Sequence, residues 1–108
     1  FGIDTHYHTG PVFAFTQSGE WFYKEYPDKV NKAGSYLYEP AHSIHTLTVA
    51  ADAKEDAVVW FAVFGSNVNI NDKGDVTSVL DAATLLKVYR MLCAADGKTC
   101  DNVIVFGE

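Results

Sequence analysis

Apolar and polar residues alternate in short segments along most of the chain up to residue 80. This alternation is typical of β-strands that bury one face. We expect strands over residues 2–9, 11–16, 20–26, 35–39, 44–49, 56–65 and 68–71. The segment 56–65 is apolar on both faces, which predicts a central strand. Turn signals recur about every eight to twelve residues and favour a small antiparallel β-barrel or sandwich.

One amphipathic helix is predicted after these strands. Asp81 has the residue type of an N-cap, and Gly97 stands where a left-handed C-cap is expected. Between them an apolar stripe recurs at helical spacing, formed by Leu85, Val88, Tyr89 and Leu92. Residues 102–106 follow as a possible last strand.

The composition excludes several classes of function. The chain has 108 residues and a formal net charge of −6, which argues against a nucleic acid or an anionic membrane as partner. Its apolar runs are too short for a transmembrane helix, and no secretory signal pattern opens the sequence. A cytoplasmic globular protein is therefore expected.

His6 and His8 are the first candidate chemistry. Residues two apart point to the same face of a strand, so the two imidazoles can share one metal ion. A third ligand must then come from another strand, and His45 is the best candidate. Three imidazoles suit iron, zinc, copper or nickel better than magnesium or calcium. The alternative is a pair of ordinary surface or core histidines.

The two cysteines, Cys93 and Cys100, form neither a CxxC motif nor a zinc spacing. We expect two free thiols. A disulfide between them is possible only if the fold brings them close together.

These residues match a family pattern. His6-x-His8, followed by Gly34-x5-Pro40-x-His42-x2-His45, resembles the two sequence motifs of the cupin superfamily. The runs HYHTGPV, AGSYLYEP and DKGDVTSVLDAATLLKVYR more closely resemble the 2,4'-dihydroxyacetophenone dioxygenase family of cupins. The resemblance implies one cupin domain over residues 1–108, a small antiparallel jelly-roll barrel with a C-terminal helix.

The resemblance also implies a ligand set. Three metal-binding histidines fall on His6, His8 and His45, and a carboxylate ligand falls on or beside Glu25. Gln17 is the alternative position, where the general motif has a carboxylate and this chain has the weaker amide. Glu25 is otherwise a surface carboxylate or an ion-pair partner of a lysine. His42 departs from the cupin pattern after Pro40, and we expect it to be solvated.

The implied activity is that of a non-haem Fe(II) dioxygenase. Such an enzyme uses O2 to cleave a carbon–carbon bond of an aromatic hydroxyketone, giving a carboxylic acid and formate. Zinc or nickel could occupy the site instead of iron, and no catalytic residue beyond the metal ligands is assigned. We expect aromatic side chains to hold the aryl ring, the alternative being that they are ordinary core residues: Phe13, Phe15, Trp21, Tyr23 and Trp60.

Two other functions compete with this interpretation. One is a different metal-dependent cupin reaction, such as β-diketone cleavage, isomerisation or hydrolysis, because one fold hosts many chemistries. The other is a non-enzymatic metal- or ligand-binding sensor module.

The sequence begins at Phe1, five residues before His6, without an initiator Met. We therefore expect that strands preceding Phe1 in a complete cupin barrel are missing from this chain. An edge left exposed in this way, together with the family resemblance, predicts a homodimer or a higher homo-oligomer.

Overall fold

The computed structural model describes residues 4–107. Over this range the chain forms nine β-strands and then one α-helix, α1 (Ala82–Ala95). The strands, in chain order, are β1 (His6–His8), β2 (Val12–Ser18), β3 (Glu20–Tyr23), β4 (Asn31–Lys32), β5 (Tyr36–Glu39), β6 (Leu47–Thr48), β7 (Val58–Val63), β8 (Asn67–Ile70) and β9 (Val76–Leu80).

The strands form three antiparallel sheets of three strands each, with the orders β1-β8-β9, β5-β2-β7 and β4-β3-β6. The chain changes sheet at Gly19, since β2 pairs with β5 and β7 whereas β3 pairs with β4 and β6. The predicted all-β jelly-roll class with one helix is confirmed. Over residues 4–107 the sheets are open and do not close into a complete barrel.

The core lies against the inner face of β2. Val12, Ala14 and Thr16 alternate along this strand and are all buried. Trp21 of β3 is fully buried and donates its indole N–H to the Thr16 hydroxyl over 2.8 Å. This bond satisfies both polar groups and joins two sheets at the centre of the fold.

The prediction of a central strand at 56–65 is wrong, because β7 lies at the edge of its sheet and β2 lies in the middle. One face of β7 is exposed, and Trp60 is 67% exposed. The segment is apolar on both faces, but only one face packs against the core. The outer face, which includes Trp60, is not covered by any of the described residues.

The helix begins and ends where the sequence predicts. The Asp81 carboxylate accepts a hydrogen bond from the Thr84 N–H over 2.8 Å, which lowers the pKa of Asp81. Gly97 has a φ of 67° just after the last turn. The apolar stripe, however, is uncovered: no residue of α1 is buried, and Leu92 is 64% exposed.

Residues 102–106 form no strand, and the largest side chain there, Phe106, is 92% exposed. Among the described residues, no backbone hydrogen bond of the kind that β2 makes joins this segment to a strand. Within residues 4–107, no helix is long and apolar enough to cross a membrane.

Candidate metal centre

Backbone pairing between β1 and residues 42–45 brings the three predicted histidine ligands together. His6 and His45 form an antiparallel bridge in which each N–H donates to the other's carbonyl over 3.0 Å. The His42 N–H donates to the His8 carbonyl over 2.8 Å and extends this pairing. The segment 42–45 therefore lies beside β1, and the side chain of His45 joins those of His6 and His8.

The imidazoles of His6, His8 and His45 form a compact buried cluster. One ring nitrogen from each lies within 4.8 Å of the others. All three side chains are buried, His45 being only 2% exposed. The ring centroids are 4.6 to 5.5 Å apart. Three nitrogen donors at this separation are compatible with one shared transition-metal ion.

Hydrogen bonding selects the tautomer of His6. Its Nδ1 lies 2.7 Å from the Asp4 carbonyl oxygen, which can only accept, so Nδ1 carries the proton. The lone pair of the neutral ring is therefore on Nε2. A backbone carbonyl that orients a histidine through one nitrogen is a common support for metal ligation through the other.

Burial keeps His45 in the form that binds metal. Desolvation lowers the pKa of His45 to about 4, against the opposing attraction of Glu39. The ring is thus neutral at pH 7, and its buried Nε2 has no hydrogen-bond partner within the described residues. A neutral imidazole with an unpaired nitrogen is a ready metal ligand.

Glu39 is the carboxylate at this cluster, and the sequence analysis did not single it out. Its Oε2 lies 3.4 Å from His45 Nε2 and 3.6 Å from His8 Nδ1. Glu39 is 5% exposed, and neither carboxylate oxygen has a hydrogen-bond partner among the residues described. A buried carboxylate without donors is costly unless a cation joins it, so the donor set fits a divalent metal.

Strand parity is the signal that could have identified Glu39. In the run YLYE the two tyrosines are exposed, while Leu37 and Glu39 point to the other face. Glu39 pairs directly with Val12 of β2, whose side chain is in the core. A carboxylate on the inner face, just before the Pro40 turn that leads to His45, has few other partners to meet.

Glu25, the predicted carboxylate ligand, is hydrogen-bonded to Thr46. Its two oxygens accept hydrogen bonds from the Thr46 N–H over 2.7 Å and the Thr46 hydroxyl over 2.9 Å. Partial burial alone would raise the pKa of Glu25, but these bonds outweigh it and lower that pKa. Glu25 therefore holds the residue next to His45. The alternative, Gln17, is exposed where the β2–β7 register shifts.

A cavity of about 470 Å³ opens beside the cluster, with His45 and Glu39 in its wall. Tyr23 also lines it, and the Tyr23 ring lies 4.2 Å from the His45 ring between centroids. Polar groups on another part of the wall come from Tyr26, Lys29 and Asn31. The cavity can therefore admit a small ligand directly to the candidate metal position.

The predicted aromatic wall divides between two faces of the structure. Trp21 packs edge-on behind Tyr23, with 5.1 Å between ring centroids, on the side of the site. Phe13 and Phe15 alternate with the buried residues of β2 and therefore lie on its outer face. There Phe13 contacts Tyr38 and Phe64. Neither phenylalanine lines the cavity.

His42, the fourth histidine, is exposed as expected and contacts Tyr7 at 5.5 Å between ring centroids. Its φ of 67° places it in the left-handed region, the only such non-glycine residue described. The turn that carries His45 to the cluster thus needs a conformation that glycine adopts most readily.

The fold is an open antiparallel jelly roll in which three histidines converge on a candidate metal site. No protein-family model and no curated protein matches the chain. Among solved structures, it is similar to two Ralstonia eutropha JMP134 proteins. One has a cupin-like fold and unknown function, with 30% identity over the whole chain and a TM-score of 0.86. The other is an RmlC-like cupin, with 34% identity over 91% of the chain and a TM-score of 0.83.

The chain belongs to the cupin superfamily. A third neighbour is an acetylacetone dioxygenase from Acinetobacter johnsonii, with 20% identity over 82% of the chain and a TM-score of 0.71, a likeness of fold. The chain spans 69%, 62% and 59% of the lengths of these three neighbours.

Proposed function

We propose that this protein is a metal-dependent cupin dioxygenase, with Fe(II) as its metal and an aromatic hydroxyketone as its substrate. The observation that carries the proposal is the buried group of His6, His8, His45 and Glu39 beside a cavity of about 470 Å³. The resemblance to the 2,4'-dihydroxyacetophenone dioxygenase family supplies the substrate class. We propose a cytoplasmic location with it, since a reducing compartment keeps iron as Fe(II).

The three histidines and Glu39 would hold the ion. When bound, Fe(II) would supply Lewis-acid and O2 chemistry to a substrate that chelates through two oxygens. His6 is held in one orientation by the Asp4 carbonyl, and burial keeps His45 unprotonated. These contacts preset the ligands, so little reorganisation is needed when metal and substrate enter.

Glu39 and the residues that line the cavity act on the substrate. One oxygen of Glu39 can hold the ion while the other accepts the proton of the substrate hydroxyl, since no donor of the described chain occupies either oxygen. The Tyr23 ring offers a face against which an aryl group can pack. Asn31 and Lys29, also in the cavity wall, can donate hydrogen bonds to a ring oxygen.

A β-diketone is the second candidate substrate. One structural neighbour is an acetylacetone dioxygenase, and a β-diketone also presents two oxygens to a metal. A non-enzymatic sensor module would share the metal site and would differ by lacking turnover.

The test is O2 uptake by Fe(II)-loaded protein with 2,4'-dihydroxyacetophenone and, separately, with acetylacetone. We expect each molecule of the hydroxyketone to consume one O2 and to give one 4-hydroxybenzoate and one formate. Tyr23→Ala should raise the KM about tenfold or more through loss of ring packing. Phe15→Ala is the matched control on the outer face and should leave the KM unchanged.

Turnover of acetylacetone alone would replace the first substrate with the second. Iron-loaded protein that consumes O2 with neither compound would contradict both substrate assignments. If Tyr23→Ala has the same KM as the parent, the assignment of this cavity as the substrate-binding site is contradicted.

A further inference from the structure

The chain folds back on itself after α1. At Gly97 the backbone takes a φ of 67°, and the Lys98 N–H donates to the Cys93 carbonyl over 2.8 Å. The Gly97 N–H donates to the Ala94 carbonyl over 3.1 Å. These bonds end the helix and direct the following residues back alongside its last turns.

A second contact lies one helical turn earlier. The Tyr89 hydroxyl donates to the side-chain oxygen of Asn102 over 3.2 Å. Tyr89 is four residues before Cys93, and Asn102 is two residues after Cys100. The contacts at Lys98 and at Asn102 thus hold the segment that contains Cys100 beside the part of the helix that carries Tyr89 and Cys93.

The two thiols are close enough to influence each other, since the Cys93 side chain raises the pKa of the Cys100 thiol. The Cys93 side chain also raises the pKa of the Tyr89 hydroxyl. Neither thiol is in a disulfide.

Burial singles out the same pair. From residue 91 to residue 107 every residue is exposed except Cys93 and Cys100, which are both half-buried. Each thiol is shielded in a segment whose other side chains face solvent. Both thiols are free, as expected, and the reversal at Gly97 brings together residues that lie seven positions apart.

We propose that Cys93 and Cys100 form a redox-active thiol pair that closes an intrachain disulfide when it meets a small-molecule disulfide such as oxidised glutathione. One cysteine sulfur attacks the glutathione disulfide and releases one glutathione thiol. The second cysteine sulfur then displaces the other glutathione. The protein loses two electrons and two protons, and the oxidant becomes two thiols.

The bridge fixes residues 98–102 to the last turn of α1. In the reduced protein the contacts at Lys98 and Asn102 hold this segment, and both lie at an exposed surface. The disulfide therefore acts as a clamp on the C-terminal part of the fold. It is independent of the metal centre and of the proposed reaction.

The experiment treats the whole chain, reduced and then freed of reductant, with excess oxidised glutathione. We expect both free thiols to disappear and the intact mass to fall by two hydrogen atoms, without a glutathione adduct. Trypsin cleaves after Arg90 and Lys98, so peptides 91–98 and 99–108 should appear joined and separate on reduction. Amide exchange over residues 99–102 should slow about tenfold in the oxidised form.

Cys93→Ser and Cys100→Ser are the matched controls, and each should take up one glutathione as a mixed disulfide. The proposal is overturned if the parent carries two glutathione adducts, links two chains, or keeps both thiols free under these conditions. It is also overturned if the joined peptides form without slower exchange, because the bridge would then not act as a clamp.

Discussion

At the residue scale, Glu39 accounts for the charge balance of the candidate centre. Three neutral imidazoles leave the two positive charges of a divalent ion uncompensated. The buried carboxylate 3.4 Å from His45 Nε2 offsets one of them. Glu25, in contrast, is an exposed carboxylate that fixes Thr46. The two glutamates carry the same functional group, but Glu39 lies beside the histidines whereas Glu25 is hydrogen-bonded to Thr46.

A pair of isosteric variants distinguishes these roles. Glu39→Gln removes the buried charge and should weaken Fe(II) binding about 10- to 100-fold. The Glu25→Gln variant keeps all the proposed metal ligands and should bind Fe(II) within about twofold of the parent, because the substitution weakens only the hydrogen bonds to Thr46. Anaerobic Fe(II) titration measures both affinities. If Fe(II) binding weakens equally in the two variants, or only in Glu25→Gln, the assignment of Glu39 as the carboxylate ligand is contradicted.

Burial of His45 should make the metal-free protein sensitive to acid. The unfolded state takes up a proton near pH 6.5, whereas the folded state does so only near pH 4. Between these values the unfolded state binds more protons, so stability falls as the pH falls, by up to about 3 kcal/mol. Urea denaturation of the metal-free protein between pH 7 and pH 4 measures this loss. The same series on His45→Gln should lose less, and an equal loss would contradict the explanation.

The sequence indicates the histidines but not the carboxylate, for a physical reason. His6 and His8 share a strand face at any register, so their pairing follows from spacing alone. Which acid joins them depends on how β5 pairs with β2 and on which face of β5 is buried. That is a tertiary property, and neither Glu25 nor Gln17 could be rejected before the strands were placed.

At the element scale, the turn at Gly19 is where the chain passes from one sheet to another. Its φ is 75°, and a Cβ there would lie 2.4 Å from the Asp56 carbonyl oxygen. Gly74 has a similar φ of 83° but open space around it. A side chain at Gly74 would therefore meet backbone strain alone, whereas a side chain at Gly19 would meet both backbone strain and a steric clash.

Gly19→Ala should lower the free energy of unfolding by about 2 kcal/mol or more, because the methyl group must displace the loop before β7. Gly74→Ala should lower it by about 1 kcal/mol, the cost of a left-handed backbone alone. Urea denaturation of both variants tests the difference. Equal losses would mean that Gly19 is required only for its backbone conformation.

The elements follow from local pattern to different degrees. The N-cap Asp81 and the C-terminal Gly97 bound α1 as expected, because capping depends on neighbouring residues only. The position of β7 at a sheet edge depends on pairing with distant strands, and alternation does not encode it. Residues 102–106 also have the alternation of a strand but form none, because strand formation depends on pairing with a distant segment.

At the scale of the whole molecule, the outer face of the β5-β2-β7 sheet is aromatic and uncovered over the described residues. Tyr36, Phe15 and Trp60 lie side by side across the three strands and are 69%, 45% and 67% exposed. Aromatic residues are enriched in the centres of protein interfaces. The face is compatible with a homodimer, which stays a prediction.

Membership of the cupin superfamily accounts for the fold, but it leaves the reaction open. The structures of similar architecture include a protein of unknown function as well as a dioxygenase. The chemistry of this chain therefore has to be argued from its own residues, and the metal centre is the claim on which the rest depends.

Metal content tests that claim most directly. Protein prepared without a metal-binding tag and supplied with Fe(II) should hold about one ion per chain, the stoichiometry of a single shared site. His8→Ala and His45→Ala should each hold less than about a tenth of this. His42→Gly, which removes the exposed histidine and suits the left-handed backbone, should bind like the parent. Folded parent protein that takes up no Fe(II), or full binding in His8→Ala and His45→Ala, would contradict the assignment of the centre.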